Sequence, residues 1–600
     1  MNRQRGSFTR REFIQRTTAG LAAGSLFGAG SGELEADSPP NNWDREADVV
    51  VVGAGATGLP AAIEAIERGA SVILLEANWD VGGHAILSGG NVALGGGTSA
   101  QRRYGIVDSP DLLFADLTDW SVVEPNGFPD YRYNDKELVR AFADNSAPTF
   151  EWLAAHGVVF VAAPPNAVGG HATGNSAPRE NHASAMAWPL IQTGEPVDPA
   201  RQAVTSSGIG LIRPLEAAAR KLGVQILLQH KMTSVIRRTR ANGRVLGIEA
   251  ATQGRTFHIR ARKAVILATG GSSGNVHFRR IFDPRLTEEY NGVAGEPYSF
   301  QDASGELAAI AVGASVWGAY NQCGEYGLRL TKAGRIGCQY GYANLEWLPA
   351  SPVFPLARAI GLRVRDYQDV ILVNQAGLRF YDETQGGYSS NDYNSIRPYV
   401  PGSFRNAADI RYSPENFLNA ALAGTGGSSN GGGPIWAIFD SDAVRREKWT
   451  VTPPHVDMAA GYFFSANTIA ELTASIVNKH QREPMPAAVL QNTVDRYNSF
   501  VDAGKDSDFG KPGLQFKIRT PPFYAAWATP VIHDTRAGLR INRQCRVIDS
   551  RGDVIPSLFC GGESAGGFGL HGLARCVVQG RIAGRNAAAE PSSDDRSSPG

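Results

Sequence analysis

The stretch DVVVVGAGATGLPAAIEAIERGASVILLE, residues 48–76, decides the fold of this chain. It begins with a β-branched run at residues 49–52, which is typical of a strand buried on both faces. A G-x-G-x-x-G pattern follows at once, then a helix at about residues 59–68, a second strand at residues 72–75 and an acid, Glu76. This order predicts a βαβ unit that binds a dinucleotide; the alternative is a βαβ unit that binds no ligand.

Each glycine of the pattern has a separate physical reason. Gly53 permits the tight turn, Gly55 lets a pyrophosphate approach the backbone, and Gly58 lets helix and strand pack closely. The N-terminal amides of the helix favour the negative charge of the phosphates, and Glu76 can accept the ribose hydroxyls. The residues predicted to contact the dinucleotide in this unit are Gly53, Gly55, Ala56, Thr57, Gly58, Glu76 and Ala77.

The composition is that of a globular protein with two or more domains. The chain has 600 residues, of which 42% are hydrophobic and 19% charged. Lys+Arg and Asp+Glu both number 58, and this balance gives no reason to propose nucleic acid or an anionic membrane as a partner. Glycine is frequent, at 69 residues, which suits a chain whose backbone approaches a ligand closely.

The first 36 residues have the pattern of an export signal. TRREFI at residues 9–14 is a twin-arginine pattern, and a small, apolar run follows at residues 19–30. This run is too short and too rich in glycine to span a bilayer, and LEA at residues 34–36 is the candidate cleavage site. We therefore expect export in folded form by the twin-arginine machinery, to the periplasm or outside the cell. The alternative is a disordered basic tail.

The cysteines give no evidence of a metal centre or of covalent haem. There are five of them, and none forms C-x-x-C or C-x-x-C-H. The odd number leaves at least one outside any disulfide within the chain, and we expect mostly buried, unreactive thiols. The five are Cys323, Cys338, Cys545, Cys560 and Cys576.

A glycine-dense loop, GGHAILSGGN at residues 82–91, follows the βαβ unit and lets the chain pass tightly over a flat, bulky ligand. In this loop the chain resembles the FAD-binding family of the succinate dehydrogenase and fumarate reductase flavoproteins, which includes 3-ketosteroid dehydrogenases and urocanate reductases. The resemblance implies FAD as the cofactor. It also implies an α/β fold, with a Rossmann-like FAD-binding domain of the glutathione-reductase type and an inserted α+β capping domain.

Further segments carry the same resemblance. Residues 231–235 are of the type that holds the adenine, AVILATGG at residues 264–271 ends a second buried strand in a turn used against FAD, and IPSLFCGGE at residues 555–563 brings a glutamate to the ribityl chain. A helix at residues 572–588 points its N-terminal amides at the flavin pyrimidine oxygen. The FAD contacts that the resemblance assigns in these segments and in the glycine loop are Gly82, Gly83, His84, Ser88, Gly89, Gly90, Met232, Ala268, Thr269, Gly270, Gly562, Glu563, Gly572, Leu573 and Ala574.

Two roles toward the flavin are possible for His84. Some relatives attach the flavin covalently through a histidine near this loop. Here the spacing from His84 to Gly89 and Gly90 is one residue shorter than in those relatives. We therefore favour a histidine that is hydrogen-bonded near the cofactor over one that is covalently attached to it.

The predicted domains follow from the order of these segments. They are a signal peptide at residues 1–36, the first part of the FAD-binding domain at 46–323, the capping and substrate domain at 324–520, the second part of the FAD-binding domain at 521–588, and a disordered tail at 589–600.

Two segments bear on the substrate. Residues 161–210 are rich in Pro, Gly, Ser and Asn, and they predict either a cover over the substrate entrance or an ordinary surface excursion. Within the cap, residues 373–383 resemble a V-N-x-x-G-x-R-F-x-x-E segment that lies near the flavin in the family.

The substrate residues of the fumarate reductases in this family are only partly retained. A histidine is replaced at Gln322-Cys323-Gly324, one arginine at Gly387-Tyr388 and another at Phe568, whereas His533 is kept. A dicarboxylate without those guanidinium groups would be poorly held. The sequence therefore favours another kind of substrate.

We predict four residues at the substrate. His533 is the best candidate for a donor to a substrate oxygen, and Tyr388 resembles the tyrosine base of the ketosteroid dehydrogenases, with a packed cap tyrosine as the alternative. His571 and Arg575 begin the last helix and could each bind a substrate oxygen or the flavin, while Arg575 is alternatively a member of a structural ion pair. The cap aromatics favour a neutral, ring-shaped or hydrophobic substrate, or else are ordinary core: Trp317, Tyr320, Trp347, Phe354 and Tyr388.

These features predict an exported FAD-dependent oxidoreductase acting on CH–CH groups. It would desaturate or reduce a C–C bond conjugated to a carbonyl, by hydride transfer at flavin N5. The alternatives are an unsaturated-acid reductase of the fumarate or urocanate type, a flavin-containing double-bond isomerase or hydratase, and a flavin electron carrier. Without a haem or iron–sulfur motif, the electrons must pass to or from a separate partner, which is oxygen, a quinone or a cytochrome.

Overall fold

The computed structural model describes residues 40, 42–86, 88–118, 134–166, 176–184, 208–239, 242–282, 292–293, 299–318, 323–324, 335–338, 359, 361–380, 382–384, 434–478, 480–481, 483–529, 531–532, 534–570 and 572–594. All of them fall within one compact unit, residues 39–600. Among these residues, no helix is long and apolar enough to cross a membrane.

The described strands, in chain order, are β1 Arg45–Val52, β2 Val72–Leu75, β3 Asn91–Ala93, β4 Glu180–His182, β5 Gln225–Leu227, β6 Lys231–Thr239, β7 Asn242–Thr252, β8 Arg255–Leu267, β9 Gly292–Val293, β10 Val316–Trp317, β11 Cys323–Gly324, β12 Arg335–Ile336, β13 Leu362–Arg363, β14 Ile371–Val373, β15 Trp436–Asp440, β16 Phe463–Ala466, β17 Phe523–Trp527, β18 Val531–Ile532, β19 Asp534–Thr535, β20 Gly538–Leu539, β21 Arg546–Ile548 and β22 Val554–Cys560.

The described α-helices are α1 Gly58–Glu67, α2 Gly83–Ile86, α3 Ser99–Arg103, α4 Pro110–Leu117, α5 Lys136–Ala155, α6 Ile209–Leu222, α7 Val276–Arg279, α8 Ser304–Ala311, α9 Ser441–Glu447, α10 Ile469–Ser475, α11 Ala487–Ala503 and α12 Leu573–Ala588. Short 3-10 helices occur at Tyr367–Asp369 and Gly562–Ser564.

The larger sheet confirms the predicted α/β fold class. Its strands lie in the order β21-β22-β8-β1-β2-β5, and all neighbours from β22 to β5 are parallel. Val50 at the centre of β1 pairs with Ile73 of β2 on one side and with Val265 of β8 on the other. Because β1 is enclosed by strands at both edges and its last four residues are buried, the uninterrupted valine run is explained.

Helices α1 and α12 cross at a distance that only glycine allows. A Cβ at Gly580 would lie 2.2 Å from the Thr57 carbonyl oxygen, and one at Gly584 would lie 2.3 Å from that of Ala61. Beside these glycines, Arg581 Nη2 donates to Glu64 Oε1 at 2.8 Å within the buried contact. The last helix is therefore fixed directly onto the helix that follows the first glycine turn.

A second, antiparallel sheet has the order β14-β15-β17-β16 and is covered on both faces. The rings of Trp436 and Trp527 pack edge to face at 5.6 Å, and Phe439 and Tyr524 stack at 5.2 Å. Strand β17 lies beyond residue 520, where the prediction placed the end of the capping domain, yet it pairs within this sheet. The division of the chain into domains stays a prediction.

Several local expectations can be compared with the described residues. The glycine-dense loop contains a short helix, α2, that its composition did not predict. In the segment 161–210 the described part forms β4, which pairs with β3. Residues 167–175 and 185–207 of that segment lie outside the described residues.

The described cysteines fit the expectation of buried thiols. Cys338, Cys545, Cys560 and Cys576 are buried. Burial raises the pKa of the last three thiols, which keeps them in the unreactive protonated form. The side chain of Cys323 lies outside the described set, and no cluster of potential metal ligands occurs among the described residues.

Candidate active site

The first glycine turn has no room for side chains at two of its three glycines. Gly53 adopts φ +99°, and a Cβ there would lie 2.3 Å from the Ala268 carbonyl oxygen. A Cβ at Gly58 would lie 1.7 Å from the Gly53 carbonyl oxygen. The turn is thus held against the end of β8 from one side and against α1 from the other, as the G-x-G-x-x-G pattern predicts.

The remaining glycine faces open space. A Cβ at Gly55 would meet only the Gly82 carbonyl oxygen at 3.6 Å, and one at Gly270 would meet only the end of Gln301 at 3.9 Å. Helix α1 begins at this opening, and its N-cap residue Thr57 makes no side-chain capping bond. An open backbone cradle at the N-terminal, positive end of a helix fits the diphosphate of FAD.

Glu76 is fixed at the end of β2. Its Oε2 accepts from the Ala54 amide at 2.8 Å and its Oε1 from the Asn78 amide at 2.9 Å. Burial raises the pKa of this carboxyl, and the two amide bonds counter part of that effect. The carboxylate therefore joins the glycine turn to the end of the neighbouring strand, while its contact with the ribose stays a prediction, as does that of exposed Ala77.

The glycine-dense loop is anchored to the first turn. The Gly82 amide donates to the Ala54 carbonyl at 2.9 Å. Farther along, Ser88 Oγ donates to the Ala85 carbonyl at 2.7 Å and accepts from the Gly90 amide at 3.3 Å. These bonds place the loop beside the cradle; the roles of half-buried His84, of Gly83 and Gly89, of Ala56, and of buried Met232 toward FAD stay predictions.

Two further turns that were assigned to FAD are linked through hydroxyl groups. Thr269 Oγ1 and Ser564 Oγ are 2.9 Å apart, and Ser564 Oγ also accepts from the Gly271 amide at 3.2 Å. Gln301 Nε2 donates both to the Gly270 carbonyl and to Glu563 Oε2, each at 2.8 Å. We call residues 268–271 and 562–564 the turn pair. Sequence reasoning found the two turns but missed Gln301, because nothing local marks it as their link.

Thr535 connects the turn pair to the segment that contains the predicted donor. Its Oγ1 accepts from the Ser272 and Ser273 amides, both at 3.0 Å, and its own amide donates to Glu563 Oε2 at 3.4 Å. Strands β18 and β19 lie on either side of position 533 and pair with β9 and β11. His533 itself lies outside the described residues, whereas Thr535, two residues further along the chain, bonds to the turn pair through its amide.

The contacts of Arg575 hold two backbone segments in position. It is 2% exposed, and it donates through Nη1 to the Phe568 carbonyl at 2.5 Å and through Nη2 to the Thr535 carbonyl at 2.9 Å. These described bonds go to backbone carbonyls, not to a carboxylate, so they give no support to the ion-pair alternative. Its predicted contact with substrate stays a prediction.

Helix α12 begins as the resemblance implies. Gly572 is the N-cap residue, with φ +88° and no side-chain capping bond, and Leu573 and Ala574 are buried in the first turn. The first amides of the helix therefore lack a side-chain cap and can face an electron-rich ligand atom. His571 lies outside the described residues, as do Tyr388, Tyr320, Trp347 and Phe354.

Phe568 is an apolar anchor next to these groups. It is 0% exposed, and its ring lies 5.2 Å from that of Phe142 on α5. The amides and carbonyls on either side are fixed, since Gly569 N donates to Asn134 Oδ1 at 2.7 Å and Asp135 N donates to the Gly567 carbonyl at 2.8 Å. The side chain therefore points into the core between α5 and α12.

The segment 373–383 has a structural ion cluster at its end. Arg379 donates to Glu383 and to Asp506, and Lys511 Nζ lies 3.2 Å from Glu383 Oε2. Burial opposes ionisation of Glu383, but the charges of Lys511 and Arg379 outweigh it and lower its pKa to about 2. The described partners of these side chains belong to the smaller sheet and its helices, while the proximity of the segment to the flavin stays a prediction.

The chain belongs to the family described as the FAD binding domain, whose model matches residues 48–576. It is similar to the urocanate reductase of Eggerthella lenta, with 28% identity over 566 residues that cover 92% of this chain and 76% of that protein. It is also similar to the vinyl phenol reductase of Lactiplantibacillus plantarum, with 27% identity over 559 residues that cover 90% and 96%.

Among solved structures, the chain is similar to the open conformation of a flavocytochrome c3 fumarate reductase. The TM-score is 0.55 with 22% sequence identity, and the match covers 98% of this chain and 82% of that one. This likeness shows the fold. Together with the family match, it confirms the predicted resemblance, the FAD cofactor and the class of enzyme, an FAD-dependent oxidoreductase acting on CH–CH groups.

Proposed function

We propose that this enzyme desaturates or reduces a carbon–carbon bond conjugated to a carbonyl, on a neutral, hydrophobic or cyclic substrate. The observation that carries the proposal is Phe568. It stands where the resemblance expects one of two substrate-binding arginines, and its ring is fully buried against Phe142. A position that contributes a buried phenyl ring cannot bind a carboxylate, so one of the two guanidinium groups is missing.

Arg575 does not replace that guanidinium group in the described geometry. Two of its nitrogens donate to backbone carbonyls, and its side chain is buried. It holds residues 535 and 568 in place and so orients the segments that carry positions 533 and 571. We assign it as a positioning residue of the site.

The chemistry requires one proton for each hydride. FAD supplies the hydride acceptor or donor at N5 when it is bound. The protein must hold the substrate carbonyl and give or take the proton. We assign the carbonyl donor to His533, the proton to Tyr388 and a second donor to His571.

The names of the relatives support the reducing direction and leave the charge of the substrate open. Urocanate reductase and the fumarate reductase are named for acids, whereas vinyl phenol reductase is named for a phenol without a carboxylate. An unsaturated-acid reductase is therefore the second candidate. A double-bond isomerase or hydratase that uses FAD without net redox change is the third.

The test is an anaerobic visible spectrum of the purified enzyme with saturated and unsaturated cyclic ketones, vinyl phenols and carboxylic acids. Bleaching of the oxidised flavin band by a saturated ketone, or reoxidation of prereduced enzyme by a neutral unsaturated compound, is the expected result. Reoxidation by unsaturated acids alone would establish the second candidate. Conversion of substrate without a spectral change would establish the third.

Variants test the assigned roles in the same assay. His533→Asn and Tyr388→Phe should each slow the flavin half-reaction by about 10²-fold or more, because a positioned proton donor typically contributes that much. His258→Asn, at a histidine on β8 that lies at the surface beside Glu249, is the matched control and should change nothing. Full activity of the Tyr388→Phe variant would remove this tyrosine from the mechanism.

We also propose export by the twin-arginine route and a separate electron partner. The support is the TRREFI pattern at residues 9–14 and the lack of a haem-attachment motif in the sequence. A quinone, a cytochrome or oxygen would then exchange electrons with the enzyme. Turnover measured with each acceptor or donor in turn would identify the partner.

A further inference from the structure

Glu306 is a buried acid that the proposed reaction does not use. It is the third residue of α8, its side chain is 0% exposed, and neither carboxyl oxygen has a hydrogen-bond partner among the described residues. A buried, unpartnered polar group is costly and rare in folded proteins. Its place in the fold therefore needs an explanation.

The carboxyl group lies behind the turn pair. The backbone of the preceding residue, Gly305, packs so closely on Thr269 that a Cβ would lie 2.2 Å from Thr269 Oγ1. The hydroxyls of Thr269 and Ser564 are 2.9 Å apart, and both act on Glu306 by favouring its charged form, although burial outweighs them. The acid thus sits under the link between the two turns that contact FAD.

Nearby cations are already engaged. Lys231 on β6 is paired with Asp302 at 2.5 Å, and Arg237 on the same strand donates to the carbonyls of Gly243 and Val312. Burial raises the pKa of Glu306 to about 8, and the charge of Asp302 adds to this effect. The protonated form of Glu306 therefore predominates at pH 7.

We propose that Glu306 is a proton-binding site linked to the cofactor, and that loss of its proton weakens the binding of FAD at the turn pair. The diphosphate of FAD is anionic at neutral and alkaline pH. A second negative charge buried behind the same turns repels it. The proposal rests on FAD binding and not on the identity of the substrate.

The other described groups around Glu306 do not change their protonation between pH 7 and pH 9.5. Asp302 is ion-paired with Lys231. Burial raises the pKa of this carboxyl, but the pairing with Lys231 outweighs burial and lowers the pKa. The thiols of Cys560 and Cys576 have pKa values raised by burial and stay neutral, while Glu563 accepts from Gln301 and Arg575 is a permanent cation.

The experiment is a fluorescence titration of apo-protein with FAD at pH 7.0, 8.0, 9.0 and 9.5. We expect the dissociation constant of the wild type to rise by about fivefold across this range, as the charge appears. Glu306→Gln, which keeps the size but cannot ionise, should bind FAD with a constant that does not change with pH. Glu306→Leu is the second variant, should glutamine not be tolerated, and gives the same expectation.

Asp302→Asn is the matched control. It removes a neighbouring carboxylate whose charge raises the pKa of Glu306, so the pH dependence of the dissociation constant should persist and begin at a lower pH than in the wild type. A wild type without a pH-dependent constant overturns the proposal, and so does a slope that persists in Glu306→Gln. The assay with the substrate panel described above tests the proposed function separately. A negative result for Glu306 therefore does not contradict the proposed function, and a negative result with the panel does not contradict the proposal for Glu306.

Discussion

Gly55 and Gly58 stand three residues apart, yet a methyl group at each would meet very different surroundings. At Gly58 the methyl would lie 1.7 Å from the Gly53 carbonyl, whereas at Gly55 it would point into the open cradle. We therefore predict that Gly58→Ala lowers the free energy of unfolding of the apo-protein by about 1–3 kcal/mol through overpacking. Gly55→Ala should leave that free energy nearly unchanged and weaken FAD binding by about 100-fold, because the methyl occupies the place of the diphosphate.

Thermal unfolding of the apo-proteins and FAD titrations separate the two effects. Each variant is the control for the other, since both add the same methyl group to the same turn. FAD bound normally by Gly55→Ala would mean that the opening at this glycine is not where the diphosphate lies.

At the residue scale, the sequence predicted correctly those positions whose backbone geometry only one type of residue can adopt. Gly53 needs a positive φ and Gly58 needs the absence of a Cβ, and glycine is the residue that satisfies both. Gln301 and Thr535 could not be predicted in this way. Their side chains bond to groups far away in the sequence, and no local pattern distinguishes them from other polar residues.

Glu383, Arg379 and Lys511 hold the end of β14 to the segment after α11 through a buried ion cluster. The pKa of Glu383 is lowered to about 2 from an ordinary 4.5, so its charge stabilises the folded state above pH 4.5, and this stability is lost as the pH falls toward 2. Glu383→Gln should lower the free energy of unfolding by about 3–5 kcal/mol at pH 7, because it removes the buried carboxylate that Lys511 pairs with and leaves Arg379 with Asp506 alone. The difference from the wild type should shrink below pH 4.5.

Denaturant unfolding at pH 7, 5 and 4, followed by tryptophan fluorescence, measures this difference. Asp508→Asn is the control, because Asp508 pairs with Arg496 at the surface and should contribute less than about 1 kcal/mol. An equal loss of stability in the two variants would show that the buried cluster contributes no more to the free energy of unfolding than the surface pair does.

At the scale of elements, the sequence pattern and the family resemblance located several parts of the large sheet and its helices to within a few residues. Helix α1, strand β2 and helix α12 all fall close to their predicted bounds. The smaller sheet was not predicted strand by strand, because β14, β15, β17 and β16 are short and their partners are set by long-range packing.

The whole molecule builds its FAD site from segments that are hundreds of residues apart. Strand β22 returns to pair with β8 after the smaller sheet has been completed, and it carries Glu563 to the turn that follows β8. Local sequence patterns could mark each segment but not the distances between them. Family resemblance supplied that order, and the topology of the large sheet now gives its physical basis.

The same topology is compatible with the export that we propose. The turn pair is complete only when β22 has paired with β8, so we expect FAD to bind late in folding, as export in folded form requires. We predict that Arg10→Lys together with Arg11→Lys blocks export, because lysine keeps the charge of the pair and loses the guanidinium groups. Cell fractionation should find the precursor in the cytoplasm with a normal FAD spectrum, because these residues lie outside the region, residues 48–576, that matches the FAD-binding family. Arg3→Lys with Arg5→Lys is the matched control and should be exported; continued export of the Arg10 and Arg11 variant would show that this segment is not read as a twin-arginine signal.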